Sequence, residues 1–215
     1  WLFGDEQFDL SNVKVLNNAI DIDKFKFDEN ARKLIRKELK IKDDTYVIGH
    51  IGRFVAQKNH DFLIDVFKEV HENKKNCILL LIGQGPLMDE IKNKVKNLGL
   101  EDNVMFLGQR NDVEKLYQAM DCFILPSSYE GLGIVAIEAQ ASGCPCILSD
   151  QVPKIVSCSH NIEFLPILNE NKNQWCKSIV LKNNNETRAH NYIDVKNCGY
   201  GYEKFEKSLK DIYKF

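Results

Sequence analysis

The chain has 215 residues, 44% of them hydrophobic and 28% charged, and a formal net charge of −2 from 29 basic and 31 acidic side chains. Such a chain can bury a core without disulfide or metal staples, and its balanced charge lacks the concentrated basic footprint that nucleic acid requires, so no nucleic-acid partner is expected. No apolar run reaches the roughly 18 residues of a membrane span.

Residues 1–30 read as a leading segment, with a short strand over 13–16 and a turn-rich stretch over 17–25. The opening WLFGDEQFDL has no basic n-region of a signal peptide, and its first residue is Trp rather than Met, so the chain reads as a fragment. The spacing of Leu34, Ile35 and Leu39 predicts a helix over 31–40 with a charged outer face. Short apolar runs then alternate with helical patterns. Strands are predicted at 46–51, 78–82, 104–107, 122–125 and 146–148, with helices at 60–73, 87–98, 112–120 and 132–142. After these come a short strand at 163–165, a helix over 171–182, the polar turn KNNNE and an amphipathic helix near 201–214. Strands that are apolar on both faces belong in a parallel sheet covered by helices on either side. The expected fold is therefore α/β: a Rossmann-like, doubly wound parallel sheet. Ligands of such sheets bind beyond the strand C-terminal ends, where the strand order reverses.

The residues after each strand are thus the informative ones. The first strand runs into GRFVAQKNH, where Gly52 can let backbone approach a ligand closely. Arg53 and Lys58 set two cations on the same loop, as a diphosphate needs; two ordinary solvated charges are the alternative. The second strand runs into Gly83-Gln84-Gly85-Pro86, which lacks the third glycine of a dinucleotide fingerprint and reads as a tight turn with Pro86 at or near the start of a helix. Gly108, after the third strand, either exposes backbone to a planar base or simply turns the chain. The fourth strand runs into PSSYEGLGIVAIEA. There Gly131 and Gly133 loosen the turn before a helix whose N-terminal amides attract anions. Glu130 and Glu138, eight residues apart, would be about 12 Å apart along a helix. That spacing suits two carboxylates accepting hydrogen bonds from sugar and ribose hydroxyls on either side of a diphosphate. Glu138 lies among Ile134, Val135, Ile137 and Ala139, where an unpartnered carboxylate is costly to bury.

The seven cysteines, an odd number with no CxxC pair, read as reduced thiols of a cytoplasmic protein. The five histidines (His50, His60, His71, His160 and His190) share no metal-ligand spacing and read as structural or surface residues.

The segments VLNNAIDIDKF, GRFVAQKNHDFLIDVF, LIGQGPL, VMFLG, CFILPSSYEGLGIVAIEAQASGCPCILSD and EFLPI occur together and in this order. In them the chain resembles the C-terminal domain of retaining glycosyltransferases of family 4, one half of a GT-B fold. The combination of GR-x4-K with E-x7-E carries most of that likeness. The resemblance implies that Arg53, Lys58 and Glu130 act in catalysis. It further implies that Gly52, Gly108, Gly131, Leu132, Gly133, Ile134 and Glu138 bind the donor, with Glu138 on its ribose. It implies no cofactor and no metal ion, the donor being a nucleoside diphosphate-sugar and a UDP-sugar by family habit.

On this reading residues 1–30 lead in from a missing N-terminal domain, 31–200 form the donor-binding domain and 201–215 are a closing helix. The acceptor, a glycan or glycolipid, would be held by the missing half, as in bacterial polysaccharide or glycolipid synthesis. The whole protein would be cytoplasmic, with peripheral association at the inner membrane face, and the fragment alone inactive. A nucleotide-sugar epimerase or hydrolase of the same fold and a non-catalytic nucleotide-binding module are the competing readings.

Overall fold

A computed structural model describes residues 16, 18–182 and 188–213 of the chain, without the side chains of Ala189 and His190. Six strands form one parallel sheet: β1 (Tyr46–Ile51), β2 (Cys77–Ile82), β3 (Val104–Gly108), β4 (Cys122–Leu125), β5 (Cys146–Ser149) and β6 (Ile162–Leu165). Their order is β3-β2-β1-β4-β5-β6, so the direction of winding reverses between β1 and β4. Ile48 and Gly49 pair with Cys122 and Phe123 across that seam.

Alternation along the strands sends successive side chains to opposite faces. On one face Val47, Leu80, Ile82, Phe123, Leu125, Cys146 and Leu148 pack beneath α1 (Ile22–Phe25), α2 (Glu29–Glu38), α5 (Val113–Ala119), α6 (Ile134–Ala141) and α8 (Arg188–Cys198). On the other, Ile48, Leu79, Leu81, Cys122, Ile124 and Ile147 meet α3 (His60–Asn73), α4 (Met88–Asn97) and α7 (Lys172–Leu181). The two cores lie on either side of the sheet, which is the doubly wound arrangement expected from the apolar strands.

Several details differ from the sequence expectation. The stretch 17–25, read as turns, contains α1, and its Ile22 and Phe25 are buried. Ile20 bridges to Gly201, which ties this segment beside α9 (Tyr202–Tyr213). Helix α8 was not predicted. Leu34 is 70% exposed, because α2 buries Ile35 and Arg36 instead. Asp28 caps α2, its carboxylate accepting from the amides of Asn30 and Ala31. Pro86 stands two residues before α4, whose N-cap is Leu87. The expected strand over 13–16, apart from Leu16, and the turn KNNNE beyond Lys182 lie outside the described residues.

Arg32 and Arg36 of α2 converge on Asp121 at the foot of β4, at 2.5 and 2.7 Å. The same carboxylate accepts from the Val47 amide at 2.7 Å. Burial draws the Arg36 guanidinium down, and Asp121 works against that shift. All seven cysteines are unpaired, and five of them are buried.

Candidate active site

The C-terminal ends of β1 and β4 carry the two loops that face each other across the reversal point. After β1, residues 52–59 run through a short 3-10 turn (Ala56–Lys58) into α3. After β4, Pro126 and Ser127 are buried and the chain reaches α6 at Ile134. Hydrogen bonds fasten the loops together. The Ser128 amide donates to the Gln57 carbonyl at 2.8 Å, and Gln57 Nε2 donates to the Tyr129 carbonyl at 2.9 Å.

Between these fastenings, Lys58 Nζ donates to Glu130 Oε1 at 2.5 Å, with side chains only 15% and 8% exposed. Ser127 Oγ donates to the same oxygen at 2.6 Å. The structure thus joins Lys58 to Glu130, which sequence spacing placed 72 positions apart. It does not bring Arg53 into this cluster. Arg53 is exposed, its guanidinium has no hydrogen-bond or ion-pair partner among the described residues, and it lines a neighbouring cleft of about 680 Å³. Gly52, Gln84, Gln109 and Arg110 also line that cleft.

Its floor depends on two glycines. A β-carbon at Gly83 would lie 2.1 Å from the Gly52 carbonyl oxygen, and one at Gly85 would lie 2.4 Å from that of Phe54. The loop after β2 therefore packs backbone to backbone on the loop that carries Arg53, and the Phe54 amide donates to the Gln84 carbonyl at 3.0 Å. Gly108 closes β3 beside the cleft, and its carbonyl accepts from the Gly83 amide at 2.8 Å.

Glu130 precedes α6 instead of belonging to it, so the helical spacing of about 12 Å to Glu138 does not apply. Gly131 is exposed and Leu132 half-buried. Gly133 is the N-cap of α6 with φ +84°, a left-handed conformation that admits glycine readily. It offers no capping side chain, and the amides of Ile134 and Val135 have no partner among the described residues. The start of α6 thus presents free N–H groups, the geometry that holds anions.

Glu138 is half-buried on α6, and one of its oxygens lies 2.9 Å from the Tyr117 hydroxyl. Burial lifts its carboxyl above the usual value of 4.5, the Tyr117 bond opposes that shift, and Glu114 adds to it. The folded state therefore holds this proton more tightly than the unfolded chain, and ionising Glu138 costs stability as pH rises above 4.5. Glu138→Gln is expected to remove that loss: the variant should gain on the parent chain in thermal midpoint between about pH 4 and pH 8. Parallel midpoint curves for the two proteins would refute it.

Ser127, Gln57 and Tyr117 were not anticipated as site residues. Ser127 stands within PSSYEG, where its place beside Glu130 offered a signal. Tyr117 arrives from α5 and has no local signature.

The family described as glycosyl transferases group 1 matches residues 31–163. A putative glycosyltransferase, EpsF of Bacillus subtilis (strain 168), is 35% identical over 180 residues, covering 84% of this chain and 47% of the relative. The UDP-Gal:alpha-D-GlcNAc-diphosphoundecaprenol alpha-1,3-galactosyltransferase of Escherichia coli is 33% identical over 145 residues, covering 66% of this chain and 38% of the relative. This chain therefore spans less than half the length of these two relatives. Among solved structures, Anabaena HepE in complex with UDP and glucose superposes with a TM-score of 0.80 at 23% identity, over 94% of this chain and 56% of that one. WaaG, a glycosyltransferase involved in lipopolysaccharide biosynthesis, superposes with a TM-score of 0.76 at 24% identity, over 93% and 56%. The sheet is that of GT-B glycosyltransferases, and the chain belongs to the glycosyl transferases group 1 family.

Proposed function

We propose that this chain is the donor-binding part of a retaining glycosyltransferase that moves a sugar from a UDP-sugar to an acceptor hydroxyl. The observation that carries the reading is the Lys58–Glu130–Ser127 cluster at the sheet's reversal point, beside the free amides that open α6. In this reading the α6 amides and Lys58 face the donor diphosphate, and Arg53 reaches it from the adjoining cleft. Negative charge grows on the diphosphate as its bond to the sugar breaks, and these fixed donors stabilise it without a metal ion. Glu130 orients Lys58 and meets the transferred sugar. Glu138 accepts from the donor ribose. Gly52 and Gly108 border the space for the nucleoside. HepE, crystallised with UDP and with UDP-glucose, and the galactosyltransferase named for UDP-Gal support the choice of nucleotide.

The acceptor, a glycan or glycolipid, is held by a further domain of the whole protein, so this chain alone transfers no sugar. No helix among the described residues is long and apolar enough to cross a membrane. We place the whole protein in the bacterial cytoplasm, at the inner membrane face, where lipid-linked acceptors are met.

Calorimetric titration with UDP, GDP and ADP tests the reading. UDP is expected to bind most tightly, and Arg53→Ala to weaken it about tenfold, the loss of one charge-assisted contact. Failure of all three nucleotides to bind both this chain and the whole protein would overturn it.

A further inference from the structure

Beneath the loop that carries Arg53 and Lys58 lies a buried aromatic group that the proposed chemistry does not use. His50 of β1 and His60, the first residue of α3, are both buried. Their rings meet edge to face, with centroids 4.7 Å apart, and His60 stacks on Phe54 at 4.0 Å. His50 Nδ1 lies 2.9 Å from the Ile124 carbonyl oxygen of β4. A carbonyl only accepts, so in a neutral ring Nδ1 carries the proton and Nε2 keeps a lone pair.

That lone pair has no hydrogen-bond partner among the described residues. It faces Gly52: a β-carbon built there would lie 2.9 Å from His50 Nε2 and 3.2 Å from both Cγ and Cδ of Lys58. The imidazole lone pair and the lysine stem converge on one point, which glycine leaves open.

A buried polar atom left unpaired lowers fold stability. Packing alone therefore does not account for a histidine here, since an aliphatic or phenyl side chain would fill the space without an orphaned nitrogen. What the lone pair supplies is the negative end of a fixed dipole, placed beside the stem of an ammonium that Glu130 holds from the other end. The ring must stay neutral to do this. Burial holds the His50 imidazole down at about 4 and the His60 imidazole at about 2, with Lys58 adding to both shifts.

We propose that His50 is a positioning residue for Lys58: its Nδ1–H bond to Ile124 aims the Nε2 lone pair across Gly52 at the lysine stem, and so sets where the ammonium stands. His60 and Phe54 buttress the ring from behind. The proposal deepens the functional reading above and rests on it in one respect, that Lys58 meets the diphosphate of a nucleotide.

Two measurements decide it. Nitrogen NMR of the imidazoles in the ligand-free chain should find His50 as the Nδ1–H tautomer; the Nε2–H tautomer would overturn the proposal without reference to any nucleotide. Calorimetry with UDP then compares His50→Asn, which can keep a donor near Nδ1 but offers nothing at Nε2, with His50→Gln, which restores an acceptor there. The asparagine variant should bind UDP about five- to tenfold more weakly and the glutamine variant within about twofold of the parent, at matched thermal midpoints. If the parent chain binds UDP and all three affinities are equal, the positioning role fails and the nucleotide reading survives. If the parent chain does not bind UDP, the same three-way comparison is made in the whole protein, where equal affinities again overturn the positioning role and failure to bind overturns the nucleotide reading together with it.

Discussion

Lys58→Ala is expected to weaken UDP binding by this chain at least tenfold, and to lower sugar transfer by the whole protein about 100- to 1,000-fold, the range seen when one fixed donor to a developing charge is removed. The two losses are expected to differ because, in the proposed mechanism, the ammonium contributes more to the charge-rich transition state than to the bound ground state. The substitution also strands Glu130, whose side chain is 8% exposed and would keep Ser127 as its hydrogen-bonding partner. A double-mutant comparison separates these effects. Glu130→Gln added to Lys58→Ala should recover part of the stability lost, because it removes the stranded charge, but none of the transfer activity. Sugar transfer within about threefold of the parent in a folded Lys58→Ala protein would remove the lysine from the mechanism.

The second large effect concerns the fold. Asp121→Ala is expected to cost about 3–5 kcal/mol of stability, the range for breaking a buried ion pair from one side. Two guanidinium groups lean on this carboxylate, and the Arg36 side chain is 3% exposed. Arg32 and Arg36 keep backbone carbonyls as acceptors, those of Ala119 and Thr45 among them, so hydrogen bonding persists. Their charge loses its counterion, and α2 loses a link to β4. Urea denaturation should detect a lower midpoint with an unchanged slope. A loss below about 1 kcal/mol would mean that solvent reaches the pair far more freely than its burial indicates.

The parallel sheet was legible because its strands are short and largely apolar, and a run such as CILLLI suits few other places in a globular protein. The later helices were less legible. In α8 the described buried residues include Arg188 and Asn191, so its sequence lacks a clean apolar stripe. Leu34 misled for a related reason, since the buried position beside Ile35 is taken by an arginine whose partner, Asp121, lies far along the chain. Arg53, Lys58, Glu130 and Glu138 could be singled out because strand ends and the family likeness draw attention to them. That Lys58 and Glu130 touch while Arg53 stands apart depends on how two loops meet across the β1–β4 seam, which no local spacing encodes. His50 looked like a strand residue and no more; its interest arises from the carbonyl on one side and Gly52 on the other.

The glycines at 83 and 85 bear on how this scaffold can be diversified. With the loop after β2 laid directly on the loop after β1, the two form a single lip whose path is set by main chain. Gln84, which belongs to that lip, and Gln109, just past the end of β3, line the cleft and can be randomised without disturbing the chain path. A library at 83 or 85 would instead yield mostly misfolded members, because even alanine would have to displace a neighbouring peptide group. If the cleft takes the donor as proposed, recognition of a new donor is more accessible to side-chain exchange at a few rim positions than to loop remodelling, which would have to redesign both segments at once.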